Sequence, residues 1–447
     1  MRDVLVTIIV FGSLPFILKR PYIGVLMWVW ISVMNPHTQG WGFATTFPFA
    51  AIIAAVTFVS LLFTKESKNL PLTPVTSVLI IFVLWMNLTT LFSFHPDDTY
   101  IQWNKVMKIM LMTFVTMMLI KTKEQIQLLI WVTVVSLGYY GIKGGIFTII
   151  GGGENLVWGP EGTFIHGNNE LALALIMIIP LMHYLQTISE KAWVRHGLTG
   201  AIILSAVSAF GSHSRGALLA IICMGAFLWL KSQKKMALGL LIILMSPGIV
   251  ALMPQKWFER METIQSYETD GSAQGRFNAW GMAFNLAQDY PLTGGGFQVT
   301  TPELFLRYAP DKVDPPRAAH SVYFQALGEH GFAGLGLYLL LGLLTWNTGT
   351  WIIRNTRNLQ EYKWAYGLAT MVQVGLVGFA TGGAFLSLLY FDVPYYLMAA
   401  MVATRRLVER ELKEKKATSG LDKGKVSPSG LGGLKPPQTH PVSPNSG

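Results

Sequence analysis

The sequence predicts an all-α polytopic membrane protein with about twelve transmembrane helices and one large hydrophilic loop. Of its 447 residues, 51% are apolar and only 13% are charged, and the mean hydropathy is +0.43. Ordinary domains carry about 25% charged residues. A soluble domain of this length could not bury so many long uncharged runs. The single cysteine, Cys223, excludes a disulfide framework and a thiolate zinc site.

Candidate spanning helices follow one another along the chain, since a span needs about 20 mostly apolar residues. The apolar runs are 3–18, 22–35, 46–63, 74–95, 106–120, 126–150, 168–188, 196–211, 216–230, 236–253, 320–346, 364–390 and 393–404. The first, second and last are short, so we predict about twelve spans rather than thirteen. Arg2 and the run after it resemble a signal peptide, but no small-residue cleavage site follows, so we predict a retained helix.

Lysine and arginine concentrate in alternate short loops. One set of loops holds fourteen of them: Lys19, Arg20, Lys65, Lys68, Lys121, Lys123, Lys191, Arg195, Lys231, Lys234, Lys235, Arg354, Arg357 and Lys363. The other short loops hold only Lys105 and Arg215, with Arg2 at the terminus. Since basic loops remain cytoplasmic, the second set faces outward, which in a bacterial inner membrane is the periplasm. The net charge of +10 therefore reflects topology and predicts no nucleic-acid partner.

The chain divides into three predicted parts. Residues 1–404 form the transmembrane bundle, which contacts membrane lipids, and 254–319 form the large periplasmic loop within it. Residues 405–447 form a cytoplasmic basic tail, which we predict to be disordered because Gly, Pro and Ser are frequent from 417 onward. The large loop is predicted to contain an amphipathic stretch and a helix, followed by a glycine-rich turn, at 257–261, 276–288 and 291–296. The shorter outer loops are 35–45, 96–105, 151–167 and 211–215.

Two arginines on the predicted outer face are candidate anion-binding residues. Arg215 lies in a short turn, and the helix after it points its N terminus outward, so the guanidinium and free backbone N–H groups would form an anion site. An arginine that extends to the lipid headgroups is an equally good alternative. Arg276 lies at the start of the predicted loop helix, and its alternative is an ordinary solvated cation.

His320 opens the span that follows the large loop. A histidine can act as a base there because its pKa is close to neutral pH. The alternative is an interfacial histidine that water or headgroups satisfy. Glu329 lies nine residues further on and projects from the opposite helix face, so we predict no direct contact with His320. Its predicted role is structural: it pairs with a neighbouring helix beside the close-packing Gly328, Gly331 and Gly334.

Five further residues are predicted to bind substrate. Asn169 lies at a helix N terminus, where it would face a polar ligand or cap the helix. Lys105 and Lys143 lie near the outer ends of their spans and would reach a phosphate or extend to the headgroups. Trp280 and Tyr323 are close in sequence to Arg276 and His320.

No metal site is predicted. His166, His213 and His320 show no ligand spacing within one element. The acidic pair Asp97 and Asp98 has no second cluster, and a turn beside a helix is its usual explanation.

The order of these motifs resembles the O-antigen ligase and polymerase superfamily of bacterial envelope glycosyltransferases. The motifs are Ser214-Arg215-Gly216 opening a span, a long outer loop with Arg276, Trp280 and the turn at 291–296, and His320 opening the next span. They cover about 160–345, and the topology covers the whole chain. Ser321 departs from the family, which often has Asn after the histidine. Residues 20–43 are similar to the O-glycosylation ligases associated with exosortase systems.

The resemblance implies an enzyme that transfers a glycan from undecaprenyl pyrophosphate to a hydroxyl of the lipid A-core oligosaccharide, in lipopolysaccharide biosynthesis. Arg215 and Arg276 would stabilise the pyrophosphate and His320 would be the base, in an inverting reaction without metal or other cofactor. The alternatives are an O-antigen polymerase or a protein O-oligosaccharyltransferase with the same donor. A transporter would require inverted repeats with paired broken helices, which the sequence does not show.

Overall fold

The structure, a computed structural model, describes residues 1–65, 67–231, 235–236, 239, 253–262 and 271–424. Regular structure in these residues is helical, as the sequence predicts, with 15 α-helices and a few short 3-10 turns. The helices are α1 Arg2–Lys19, α2 Pro21–Val33, α3 Phe49–Phe63, α4 Pro74–Leu91, α5 Pro96–Leu119, α6 Lys123–Ile150, α7 Asn168–Ile188, α8 Ala192–Gly211, α9 Arg215–Lys231, α10 Gln255–Glu262, α11 Gly271–Asp289, α12 Pro302–Tyr308, α13 Val322–Thr356, α14 Lys363–Gly382 and α15 Asp392–Gly424.

Twelve of the thirteen predicted apolar runs coincide with a helix. The remaining run, 236–253, lies almost entirely outside the described residues. Six helical segments in the described part are long and apolar enough to cross a membrane: α4, α6, α7, α8, α13 and the segment Gln360–Phe385 that contains α14. Shorter apolar helices, α2 and α3, accompany them. Several apolar spans in one chain indicate a multi-pass membrane protein.

Helices α5 and α15 extend into segments that the sequence predicts to be non-helical. α5 begins at Pro96, so the predicted outer loop 96–105 is helical; proline in the first turn and the acidic Asp97 and Asp98 favour a helix start there. α15 continues to Gly424, so the residues from 417 to that point are helical rather than disordered. The rest of the predicted tail, 425–447, lies outside the described residues.

Helices α6 and α8 pack closely because small residues face each other. A Cβ atom at Gly141 would lie 2.1 Å from the Ser205 hydroxyl, and one at Gly145 would lie 2.2 Å from the Leu204 carbonyl oxygen. Small residues let helix backbones approach within a membrane. This contact fixes the end of α8, from which the turn before Arg215 starts.

Helix α13 is broken at Gly331, where φ is 69° and ψ is −172°. This backbone region is essentially restricted to glycine. The break leaves helical N–H and C=O groups without partners, and the turn 291–296 satisfies them. The bonds run from Gly295 N–H to Gly328 O (2.9 Å), from Gly296 N–H to Glu329 O (3.0 Å) and from Phe332 N–H to Pro291 O (2.8 Å). Non-helical backbone within a span requires such internal partners.

The described part of the large loop has a small core of its own. Its members come from α11, α12 and the chain between and after them: Ala279, Met282, Leu286, Val299, Leu304, Phe305, Tyr308 and Ala309. Helix α12 is not predicted by the sequence; Thr301 caps it by accepting a hydrogen bond from the N–H of Leu304 at 3.4 Å. Because α11 also packs on α13, the loop is anchored beside the helix that follows His320.

Candidate functional site

Three predicted site residues line one cleft of about 300 Å³. Arg215 is the first residue of α9, Arg276 lies in the second turn of α11, and Asn169 is the second residue of α7. Ser214, Gly216, Phe385 and Leu386 complete the lining. Two guanidinium groups and an amide thus converge at the N-terminal ends of two helices. Such a cleft favours an anion because the arginines and the helix dipoles contribute the same sign of potential.

The turn before Arg215 is tied to three neighbouring segments. His213 Nε2 donates to the carbonyl oxygen of Gly153 (2.8 Å), Asn168 Nδ2 donates to the carbonyl oxygen of Ser212 (2.7 Å), and the Ser214 hydroxyl accepts from the N–H of Ala217 (3.1 Å). The last contact is a helix N-cap, which satisfies a backbone group at the start of α9. The direction in which Arg215 leaves the backbone is therefore determined by fixed contacts.

The chain that leads to His320 is fastened along α11. The side-chain amide of Asn278 donates to the carbonyl oxygen of Asp311 and accepts from its N–H, both at 2.8 Å. Arg317 donates to the Asp314 carboxylate at 3.1 Å. Its guanidinium lies against Gly275, where a Cβ atom would be 2.8 Å from the guanidinium carbon. The segment 311–320 therefore follows the helix that carries Arg276.

His320 is half-buried and has a φ of 42°, a left-handed conformation that is uncommon for residues other than glycine. Contacts on both sides maintain it. The Trp280 indole N–H donates to the carbonyl oxygen of Ala319 at 2.6 Å, and the Trp280 ring stacks on Phe324 with centroids 4.9 Å apart. The Ser321 hydroxyl caps α13 by accepting from the N–H of Phe324. Ser321 thus serves as a helix cap in the position where the family often has Asn.

Burial lowers the pKa of His320 below its ordinary value of 6.5, and the positive charges of Arg276 and Arg317 lower the pKa further. The imidazole is therefore neutral near pH 7 and can accept a proton. Arg276, which lines the arginine cleft, is therefore within electrostatic range of His320.

The remaining predicted substrate-binding residues lie elsewhere or have other contacts. Lys143 lines a separate cleft of about 780 Å³, and the Lys105 ammonium lies 3.9 Å from the centroid of the Phe164 ring. Trp280 uses its N–H on the backbone next to His320. Tyr323 donates to the carbonyl oxygen of Ala380 at 2.8 Å. For all four, substrate binding stays a prediction.

Two larger pockets adjoin the segment around His320. An apolar groove of about 800 Å³ between α13, α14 and α15 begins at Tyr323 and includes Leu343, Leu376 and Met398. A more polar pocket of about 710 Å³ includes Ala318 and Ala319, which precede His320. The groove can hold a lipid chain, and the pocket can hold a hydrophilic group.

Sequence reasoning missed the segment between α14 and α15. It contributes Phe385 and Leu386 to the arginine cleft, and Ser387 to the polar pocket. The sequence assigns these residues to one continuous span, 364–390. The pair Gly382-Gly383 and the sequence Asp392-Val-Pro394 are the signals that indicate a break there.

Potential metal ligands do not cluster in the described part of the chain. No group of three or more His, Cys, Asp or Glu side chains in it is arranged to hold an ion. His166 is exposed, and the imidazole of His213 is bonded to a carbonyl oxygen.

Comparison with known families matches two segments of the chain. Residues 200–339 match the family described as O-Antigen ligase, and residues 1–190 match a family of unknown function. No curated protein matches the chain. The first match includes Arg215, Arg276 and His320, whereas Asn169, Phe385 and Leu386 of the arginine cleft lie outside it.

Proposed function

Because this chain carries an O-antigen ligase domain, which implies transfer of a lipid-linked glycan, we propose that it is an O-antigen ligase. Its donor is a glycan on undecaprenyl pyrophosphate, and its acceptor is a hydroxyl of the lipid A-core oligosaccharide. The reaction takes place at the periplasmic face of the inner membrane, where the positive-inside pattern puts Arg215. The observation that carries the proposal is the convergence of Arg215 and Arg276 on one cleft beside a neutral His320.

The chemistry is a single displacement at the anomeric carbon of the donor. The acceptor oxygen attacks this carbon and forms a C–O bond, while the bond from the carbon to the pyrophosphate oxygen breaks. His320 takes the proton of the attacking hydroxyl, and undecaprenyl pyrophosphate leaves. One displacement inverts the anomeric configuration.

The two arginines stabilise the negative charge that develops on the pyrophosphate. Preorganised donors of this kind act most strongly in a cleft with little water. The N terminus of α9 adds backbone N–H groups to the guanidinium of Arg215, and Asn169 adds a side-chain amide. The apolar groove that begins at Tyr323 is the proposed path of the polyprenyl chain.

The central experiment supplies purified protein with lipid-linked O-antigen and lipid A-core, in the presence of a metal chelator and without ATP. We expect glycan attached to lipid A-core. A lengthened donor as the sole product would show a polymerase, and glycan on an added protein acceptor would show a protein O-oligosaccharyltransferase. If no acceptor receives glycan, the proposal is wrong.

Replacement of the base tests the mechanism. We expect His320→Ala to lower kcat by at least about a hundredfold, the usual contribution of a general base, while donor binding is retained. The matched control is His166→Ala, because His166 is an exposed histidine that does not line the arginine cleft. Full activity of His320→Ala would remove the assignment of the base.

Replacement of the cations tests the pyrophosphate site. We expect Arg215→Ala and Arg276→Ala each to lower turnover by roughly a hundredfold or more, as the loss of one stabilising donor does, and to weaken donor binding. Arg307→Ala is the control, since Arg307 is exposed and its guanidinium lies 5.0 Å from the centroid of the Tyr308 ring. Unchanged binding and turnover in both site variants would contradict this role.

A further inference from the structure

The polar pocket of about 710 Å³ is not used by any step of the proposed reaction. Ala318 and Ala319, which precede His320 in the chain, are part of the lining, and α11 contributes Ala279, Met282 and Ala283. Polar side chains provide much of the remaining lining: Gln102, Gln298, Thr300, Gln325, Glu329 and Ser387. Its lining combines apolar and polar side chains, as small-molecule sites do.

Glu329 is the one charged side chain of this lining, and only 6% of its surface is exposed. One of its oxygens, Oε2, accepts a hydrogen bond from the Tyr390 hydroxyl. Because that hydroxyl has a single proton, it accepts in turn from Nε2 of His330, at 2.6 Å. Nδ1 of the same imidazole lies 2.7 Å from the Thr89 hydroxyl. This buried chain of contacts holds the carboxylate in one orientation.

The other oxygen, Oε1, has only long contacts. It accepts from the backbone N–H of Gln298 and from the side-chain amide of Gln325, each at 3.4 Å. Hydrogen bonds of this type are usually about 2.9–3.0 Å long. Among the described residues, no lysine or arginine forms an ion pair with Glu329. A buried carboxylate oxygen without a close donor is stabilised when a ligand supplies one.

The chemistry of the lining indicates which substrate enters. Carboxylate and glutamine side chains match sugar hydroxyls, since each hydroxyl both donates and accepts. A pyrophosphate is disfavoured because the lining of this pocket contains no lysine or arginine to stabilise its negative charge. The donor phosphates are directed to the arginine cleft, so the pocket is left for a neutral polyhydroxyl group.

We propose that this pocket is the acceptor subsite, in which Glu329 Oε1 and the neighbouring glutamines hold the sugar of the acceptor so that its attacking hydroxyl meets His320. This inference rests on the proposed glycan transfer. It extends the structural role that the sequence predicts for Glu329: the bond to Tyr390 supports the chain between α14 and α15, and the second oxygen binds substrate.

The test is a titration of lipid A-core at saturating lipid-linked donor, followed by the reverse titration. Glu329→Gln keeps the shape of the side chain and removes its charge. We expect the KM for the acceptor to rise about tenfold or more, while the KM for the donor stays within about twofold, as loss of a charge-assisted hydrogen bond predicts. A fall in kcat with an unchanged acceptor KM would overturn the proposal.

The Tyr390→Phe variant distinguishes acceptor binding by Glu329 from the structural contact between Glu329 and Tyr390. It removes the hydroxyl that holds Oε2 and leaves Oε1 in the pocket, so we expect a smaller rise in acceptor KM than for Glu329→Gln. A rise as large as that of Glu329→Gln would show that Glu329 acts only through Tyr390, which would overturn the proposal.

The Ser387→Phe variant tests the pocket at a residue that does not take part in the hydrogen bonds of Glu329 and Tyr390. Ser387 is half-buried at the pocket wall, and the larger ring would occupy the space of the sugar. We expect the acceptor KM to rise and the donor KM to stay constant, whereas Thr46→Phe, at an exposed position, changes neither.

If the wild-type protein transfers glycan but Glu329→Gln and Ser387→Phe leave the acceptor KM unchanged, only this inference fails. If the wild-type protein transfers glycan to no acceptor, the proposed function fails with it.

Discussion

At the scale of single residues, the orientation of His320 is determined by its backbone. In the described residues, no side chain forms a hydrogen bond with its imidazole ring, in contrast to catalytic triads in which a carboxylate orients the histidine. The left-handed φ of 42° depends instead on Trp280, through the carbonyl oxygen of Ala319, and on the cap formed by Ser321. A strained conformation of this kind costs on the order of 1–3 kcal/mol and is typical of functional sites.

The pH dependence of transfer follows from the charges around His320. As the proposed base, His320 acts when neutral, so we expect activity to be lost as the pH falls through the pKa of His320. Because Arg317 lowers this pKa, we expect Arg317→Gln to raise the pKa and to move the acid limb of kcat/KM toward higher pH. The measurement is a pH profile of transfer, from about pH 4 to pH 8, at low donor concentration.

Arg307→Gln is the matched control for this profile. Arg307 lies on the same loop, but its guanidinium contacts the Tyr308 ring, and its charge is not among those that lower the pKa of His320. Its acid limb should coincide with that of the wild-type protein. An acid limb of Arg317→Gln that stays in place or moves to lower pH would contradict the electrostatic account.

At the scale of elements, the central feature is the set of backbone hydrogen bonds that joins the turn 291–296 to the break in α13. The two share backbone hydrogen bonds in both directions, so neither is complete without the other. Close approach is possible because glycines occupy both sides: a Cβ atom at Gly294 would lie 2.5 Å from the carbonyl oxygen of Gly328. The break also determines that the Glu329 side chain faces the polar pocket and that the His330 side chain faces α4.

Replacement of the glycine at the break should destabilise the protein. In Gly331→Ala, the added Cβ would lie 2.5 Å from the carbonyl oxygen of Leu292, and the backbone conformation is unfavourable for alanine. We expect a loss of at least about 2 kcal/mol, seen as a lower Tm of the purified protein.

Gly336→Ala in the same helix is the control, since nothing lies within 4 Å of a Cβ at that position. Alanine is favoured over glycine in a helix by up to about 1 kcal/mol, so the Tm should stay or rise. Equal Tm values for the two variants would show that the break is not required.

Element prediction from the sequence succeeded where hydrophobic runs end at clear signals. The predicted run 168–188 has the same bounds as α7. It failed where tertiary contacts decide the structure. The first three turns of α5 are polar enough to look like a loop, yet the Thr99 hydroxyl is buried and donates to the carbonyl oxygen of Phe297 at 2.7 Å. The break at Gly331 depends on a turn more than thirty residues earlier in the chain, which no local pattern reveals.

At the scale of the whole molecule, scarcity of charge was the most informative sequence feature. Because cations are rare on the predicted outer face, Arg215 and Arg276 could be selected from the sequence, and the structure brings both to one cleft. The same reasoning selected Lys105 and Lys143, which do not line that cleft. The polar pocket was not predicted, because its side chains come from α5, α11, α13 and three connecting segments and share no sequence pattern.

The orientation of the chain in the membrane can be measured with introduced cysteines. Cys223→Ser removes the one native thiol, and Lys312→Cys and Lys65→Cys then place single thiols at exposed positions. In cells with a permeabilised outer membrane, we expect an impermeant maleimide to label position 312 and not position 65, as the positive-inside rule predicts. Detergent should make both reactive. Labelling of position 65 alone in intact inner membranes would reverse the topology and put the proposed active site in the cytoplasm.

The shared hydrogen bonds of the turn 291–296 and the break at Gly331 also determine which pieces of this chain can be exchanged. A chimera that receives a foreign loop but keeps its own α13 would join a turn and a helix break that did not evolve together. Their shared backbone hydrogen bonds would then be mismatched. The smallest segment that keeps these hydrogen bonds together is therefore 291–332, which carries the turn, α12, His320 and Glu329 as a unit. If the polar pocket is the acceptor subsite, as proposed, we expect exchange of this unit to alter acceptor choice while the spans remain unchanged.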